Sequence, residues 1–159
     1  MTNLLKKAAI IAIATTICVT AFSQEKDDVA IGANVVIGMG HNYTNVGIGP
    51  KVQYNLFKYI RAEGSYTYFL KKNDFSMWDL NLNGHLLVPL GGKITIYPLA
   101  GIGILGFTNS LHNREISLNL GGGIDFPLND KAFFNVELKH KLSNDWDRTA
   151  LSAGIVFKL

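Results

Sequence analysis

The chain has 159 residues, 48% of them apolar and 17% charged, with 15 Lys or Arg against 12 Asp or Glu and a single cysteine. That length suits one domain, and no basic patch argues for nucleic acid. One cysteine, Cys18, excludes an intramolecular disulfide.

The first 23 residues read as an export signal. Lys6 and Lys7 give a short positive start, Ala8 to Ala21 carries no charge, and Ala21 and Ser23 are small residues at −3 and −1 of a cut after Ser23. The apolar run falls short of the roughly 20 residues of a spanning helix. A lipoprotein signal on Cys18 is the alternative, but Ile17 is too large for the position before the cysteine. Cleavage leaves residues 24–159, with 13 basic against 12 acidic side chains and no thiol.

The mature chain alternates apolar and polar residues. Val29 to Gly40 sets Ile31, Val35 and Ile37 against Gly32, Asn34 and Gly38; His41 to Asn45 forms a turn; Val46 to Leu56 sets Val46, Ile48, Val52 and Tyr54 against Lys51, Gln53 and Asn55. A tight turn at Phe57–Lys58 leads to Tyr59–Leu70, where Ile60, Ala62, Tyr66 and Tyr68 oppose Arg61, Glu63, Ser65 and Thr67. After a polar loop at 71–77, Trp78 to Val88 sets Leu80, Leu82 and Leu86 against Asp79, Asn81, Asn83 and His85. Pro89 to Gly92 turns the chain into Lys93–Gly106, the most apolar segment, because Tyr97, Leu99 and Leu105 join its less apolar face. A loop at 107–115 precedes Ile116–Phe126, Pro127–Lys131 turns, Ala132–Leu142 sets Phe134, Val136 and Leu138 against Asn135, Glu137 and Lys139, and a loop at 143–147 leads to Thr149–Leu159.

This predicts an all-β fold: an eight-stranded antiparallel up-and-down transmembrane β-barrel, with segments of about 10 residues joined by alternating short and longer connections. An even count puts both termini on one side, expected to be the periplasm. Aromatics on the apolar face gather at the strand ends, with Tyr54, Phe126, Phe134 and Phe157 at one end and Tyr66, Tyr68 and Trp78 at the other, as membrane interfaces favour. A secreted lipocalin-like barrel would share the period with the apolar face turned inward. In the membrane form, an eight-stranded lumen is just wide enough to be filled by side chains.

The last strand resembles the C-terminal assembly signal of outer-membrane barrels: Ser152, Gly154, Phe157 and Leu159 fill its polar, glycine and two large apolar places, with Leu159 where an aromatic is usual. With the hairpin at 55–69 and the run Tyr97–Ile104, the mature chain resembles the small outer-membrane barrels of the OmpX and OmpA-barrel type, also called porin-family domains. The resemblance implies an outer-membrane location in a Gram-negative cell envelope, a non-enzymatic structural or envelope-integrity role, contact with outer-membrane lipid and lipopolysaccharide, passage through the barrel-assembly machinery, and a monomer without nucleic acid or cofactor.

Arg61, Glu63, Asp79, Glu137, Lys139 and Lys141 share lumen parity. They suit a salt-bridge plug holding a narrow barrel; a gate for ions or small ligands, and so a narrow channel, is the alternative. Glu63 and Glu137 as paired catalytic carboxylates fit less well, because Arg61 and Lys139 share their face. A lipid A-modifying enzyme is a remote reading: His140 and Ser143 are three apart, so a strand points them to opposite faces. His41, His85 and His112 match no metal-site spacing, and Gly121–Gly123 lacks the strand-to-helix setting of a phosphate loop.

Overall fold

Apolar alternation at period two, sustained over ten or more residues, favours strands long enough to cross a bilayer, and turn-rich breaks make successive strands antiparallel neighbours. The computed structural model describes residues 28–40, 43–72, 75–108, 110–144 and 147–159. Its strands are β1 (Val29–Gly40), β2 (Thr44–Phe57), β3 (Ile60–Lys72), β4 (Phe75–Leu86), the two-residue β5 (Val88–Pro89), β6 (Thr95–Phe107), β7 (Ser110–Pro127), β8 (Ala132–Leu142) and β9 (Arg148–Lys158).

Each long strand pairs antiparallel with its neighbours. β9 returns to β1, and β4 pairs with β6, so the sheet closes into a barrel of eight long strands. β5 adds a short rung against Ile96 and Thr95. Closure leaves no sheet edge to be satisfied in hydrocarbon.

The barrel is polar inside and apolar outside. On β8, Leu138 is 53% exposed while Glu137 and Lys139 on either side are 0% and 4% exposed. Ile31, Val35, Ile48, Val52, Leu82 and Ile102 project outward in the same way. A lipocalin-like barrel requires the opposite arrangement. Tyr54, Phe126, Phe134 and Phe157 are exposed at the end holding both termini, and Tyr66 and Tyr68 at the other, where Tyr66 stacks on Trp78 with centroids 6.4 Å apart.

Several sequence-derived boundaries move. The first tight turn is Lys58–Tyr59, because Phe57 pairs with Ile60 after a register shift from Asn55. The expected loops at 71–77 and 107–115 are largely strand: β3 reaches Lys72, β4 starts at Phe75, and β7 begins at Ser110. Hydrogen-bonded ladders continue past the apolar band, so composition turns polar before pairing ends. The export signal, the Cys18 alternative and His41 lie outside the described residues; His112 is in β7, but its side chain is not among those described.

Candidate functional site: the barrel lumen

Period two aims every second side chain of each strand into the lumen, where carboxylates, ammoniums and amides from six strands meet. Near the terminal end, Arg61 of β3 reaches Asp125 of β7, Nη1 to Oδ2 2.7 Å. Its Nε donates to His85 Nδ1 at 3.2 Å, and its guanidinium lies 4.7 Å from the Tyr97 ring centroid. Arginine only donates, so His85 Nδ1 is the acceptor and the ring proton sits on Nε2. His85 and Tyr97 stack 4.4 Å apart, 11° from parallel.

Tyr97 links this group to the next. Its hydroxyl donates to Glu137 Oε1 at 2.8 Å and accepts from Asn135 Nδ2, which also donates to Asp125 Oδ1 at 2.7 Å. Lys51 of β2 donates to Asn135 Oδ1 at 2.7 Å and sits 3.2 Å from both Glu63 and Glu137. Lys139 lies 3.2 Å from Glu137 Oε2 and 3.9 Å from Glu63 Oε1, and Gln53 Nε2 donates to Glu63 Oε2 at 2.8 Å. Gly123 makes room for this junction: a Cβ there would collide with the Tyr97 hydroxyl and come within 2.8 Å of Glu137 Cγ.

Toward the far end, Asn119 Nδ2 donates to Asn81 and Asn83 at 3.0 and 2.9 Å. Asp79 Oδ2 then receives both Lys141 and Arg148, the latter at 2.7 Å from Nη2. The Arg148 guanidinium lies 5.1 Å from the Phe69 ring centroid.

Apolar clusters lie toward both ends of this polar column. Val36, Phe69, Met77, Leu105, Phe107 and Ala150 are buried together at the far end, with Tyr43 packed against them. Ala30, Phe133 and Val156 form a cluster at the terminal end, and Leu87, Tyr97 and Leu99 another beside it. A small open recess at the terminal end is lined by Asp28, Gln53, Asn55, Lys158, Arg61 and Phe133.

All six charged residues singled out in the sequence, Arg61, Glu63, Asp79, Glu137, Lys139 and Lys141, point into the lumen and make ion pairs there. Three further charges belong with them. Lys51 and Asp125 carry the right parity, which is the available signal; Arg148 falls between the expected loop at 143–147 and the expected strand from Thr149, whereas β9 begins with it.

Donor atoms of Glu63, His85 and Glu137 lie within 4.8 Å of one another, a spacing a metal ion can bridge. Lys51 and Lys139 occupy that neighbourhood and neutralise both carboxylates, so the chemistry of the cluster is ion pairing. His140 faces outward, its Nδ1 3.1 Å from Thr149 Oγ1, while Ser143 lies beyond the end of β8 with its N–H donating to Asp147. The two do not form a nucleophile–base pair.

On the terminal strand, Ser152 is buried against Glu137 at 3.5 Å, and Gly154 lies where a Cβ would strike the Ala33 carbonyl. Phe157 projects outward, 53% exposed, and Leu159 follows the end of β9, its N–H bonded to Val29 O.

The profile of the family described as outer membrane protein beta-barrel domain matches residues 9–158. No curated protein matches the chain in sequence. Among solved structures, the chain is similar to the N-terminal β-barrel domain of Pseudomonas aeruginosa OprF: TM-score 0.68, 14% identity, covering 86% of this chain and 100% of that one. It is also similar to Neisserial surface protein A, with TM-score 0.62, 14% identity and coverage of 83% and 96%. The attachment invasion locus protein Ail of Yersinia pestis gives 0.57, 15%, 85% and 100%. At these identities the likeness is one of fold.

Proposed function

The chain belongs to the outer membrane protein beta-barrel domain family and is an outer-membrane protein; from that premise we propose that it is a non-enzymatic wall element of the envelope, its lumen plugged rather than conducting. The observation that carries this reading is the lumen itself, a column of mutually neutralising ion pairs with an apolar cap at its far end. An ion entering from either side would have to displace a buried pair, and from the far side it would first have to cross a desolvating apolar layer. The lumen charges serve here to hold the narrow barrel together.

In the same reading the chain works as a monomer in contact with outer-membrane lipid and lipopolysaccharide, without nucleic acid or cofactor. Residues 1–23 act as a cleaved export signal. Ser152, Gly154, Phe157 and Leu159 present the closing strand to the barrel-assembly machinery. Planar-bilayer recording of the protein purified from outer membranes tests the plug: a flat baseline is expected, and discrete, reproducible conductance steps would transfer the assignment to a narrow channel.

A further inference from the structure

The end of the barrel that holds the termini repeats one small pattern at every connection. The β2–β3 turn carries exposed Phe57 (60%) beside exposed Lys58, and the β5–β6 connection carries exposed Leu90 before Lys93. The β7–β8 turn carries exposed Leu128 (57%) before Lys131, whereas at the end of β9 Phe157 projects outward and half-buried Lys158 turns to the recess at the barrel mouth. Strand order spaces these turns two strands apart around the barrel, so an apolar–lysine couple stands at three of the four quarters of the rim.

Among the described residues, Lys58, Lys93 and Lys131 make no buried ion pair. Lys93 approaches Asp130 at 3.5 Å, but the two side chains are 78% and 94% exposed, and such a pair has little worth in water. Lys58 leans over the Tyr59 ring at 5.2 Å. Asp28 and Asp130 are the acidic side chains described on this rim, against Lys58, Lys93 and Lys131. Lys93 adds an independent sign. It is the one described non-glycine residue with positive φ, at 69°. Glycine or asparagine would hold that conformation more cheaply, so a long cationic side chain is kept there against backbone preference.

A large apolar side chain directed at hydrocarbon with an ammonium beside it is the arrangement in which lysine extends to a lipid headgroup. We propose that this rim is a binding surface for anionic phospholipid headgroups, with Lys58, Lys93 and Lys131 each placed to meet a phosphate of the leaflet facing the periplasm. The proposal rests on the membrane orientation that puts the termini on the periplasmic side. The apolar member of each couple favours a lipid over a carboxylate-bearing polymer, which would leave Phe57, Leu90 and Leu128 in water.

The test uses protein purified from outer membranes and placed in phosphatidylcholine vesicles containing traces of spin-labelled phosphatidylglycerol or phosphatidylcholine. The fraction of each label immobilised at the protein perimeter is measured by electron paramagnetic resonance. The parent should prefer phosphatidylglycerol by about twofold or more, since each lysine near a surface adds measurably to attraction for anionic lipid. The preference should fade as salt rises from about 0.01 to 1 M, where the screening length drops from about 30 to 3 Å. The triple variant K58Q/K93Q/K131Q, checked for heat-modifiable folding, should lose most of the preference, and Arg114→Gln, exposed at the opposite end, should keep it. Three results would overturn the assignment: an unchanged preference in the triple variant, a loss that follows Arg114 instead, or lysine-dependent co-sedimentation with purified peptidoglycan without any lipid preference.

Discussion

Lys51 of β2 and Glu137 of β8 meet at 3.2 Å across the lumen, while β1 and β9 separate their strands along the wall. The pair is a strut rather than a rung: it joins segments that no backbone ladder connects. Lys139 lies 3.2 Å from the other Glu137 oxygen, so this carboxylate contacts two ammoniums, which without it Glu63 alone would be left to compensate. Glu137→Ala should therefore leave buried positive charge unpaired and cost about 3–5 kcal/mol. Urea titration followed by the heat-modifiable shift on gels measures this, and a midpoint equal to the parent's would remove the strut from the account.

Asp79 predicts an asymmetry. It receives both Lys141 and Arg148, and Arg148 Nη1 has no hydrogen-bond partner although it is buried. Removing Arg148 leaves one cation on one carboxylate; removing Asp79 leaves two cations facing each other. Asp79→Ala should cost about 3–5 kcal/mol, and Arg148→Met, which keeps an apolar stem against Phe69, clearly less. Equal losses in the same urea assay would contradict this charge arithmetic.

The face taken by each strand residue was legible because period two is a local property, and one glance along β8 separates Val136 and Leu138 from Glu137 and Lys139. Partner choice was not. Period two fixes inside or outside but gives neither height along the axis nor position around it. Arg148 and Asp79 sit on diametrically opposite long strands, and only strand stagger brings them level. The far apolar cap was hidden for a related reason. Phe69 ends a strand pattern and Met77 reads as loop, yet they pair directly across β3 and β4 and turn inward together. Loop ends were misjudged wherever polar residues continue a ladder beyond the apolar band.

Assembly supplies a third expectation. Phe157 pairs with Ile31 of β1 and Ala132 of β8, so it sits where the first and last strands close the barrel. Phe157→Ala together with Leu159→Asp removes the large apolar groups from that seam and places a charge at its end. The folded protein recovered in outer-membrane fractions should fall sharply, with unfolded chain accumulating before insertion. Undiminished, heat-modifiable protein in those fractions would count against a role for these residues in assembly.

The strongest single-strand test asks what surrounds the barrel wall at β8. With no cysteine among residues 24–159, labels can be introduced one at a time at Val136, Glu137, Leu138 and Lys139. Leu138 is 53% exposed and Val136 half-buried on the outer face, whereas Glu137 and Lys139 lie in the packed lumen. Spin labels at 136 and 138 should relax through collisions with oxygen dissolved in hydrocarbon, and a label at 137 or 139 should be shielded or should unfold the barrel. Leu138→Arg should cost about 2–4 kcal/mol if the site is near the bilayer midplane, and less toward either interface. The two measurements constrain each other, because oxygen accessibility reports depth independently of stability. A label at 138 that meets water-soluble relaxants as freely as oxygen, together with an arginine at no cost, would mean that the apolar outer face of β8 is not against lipid.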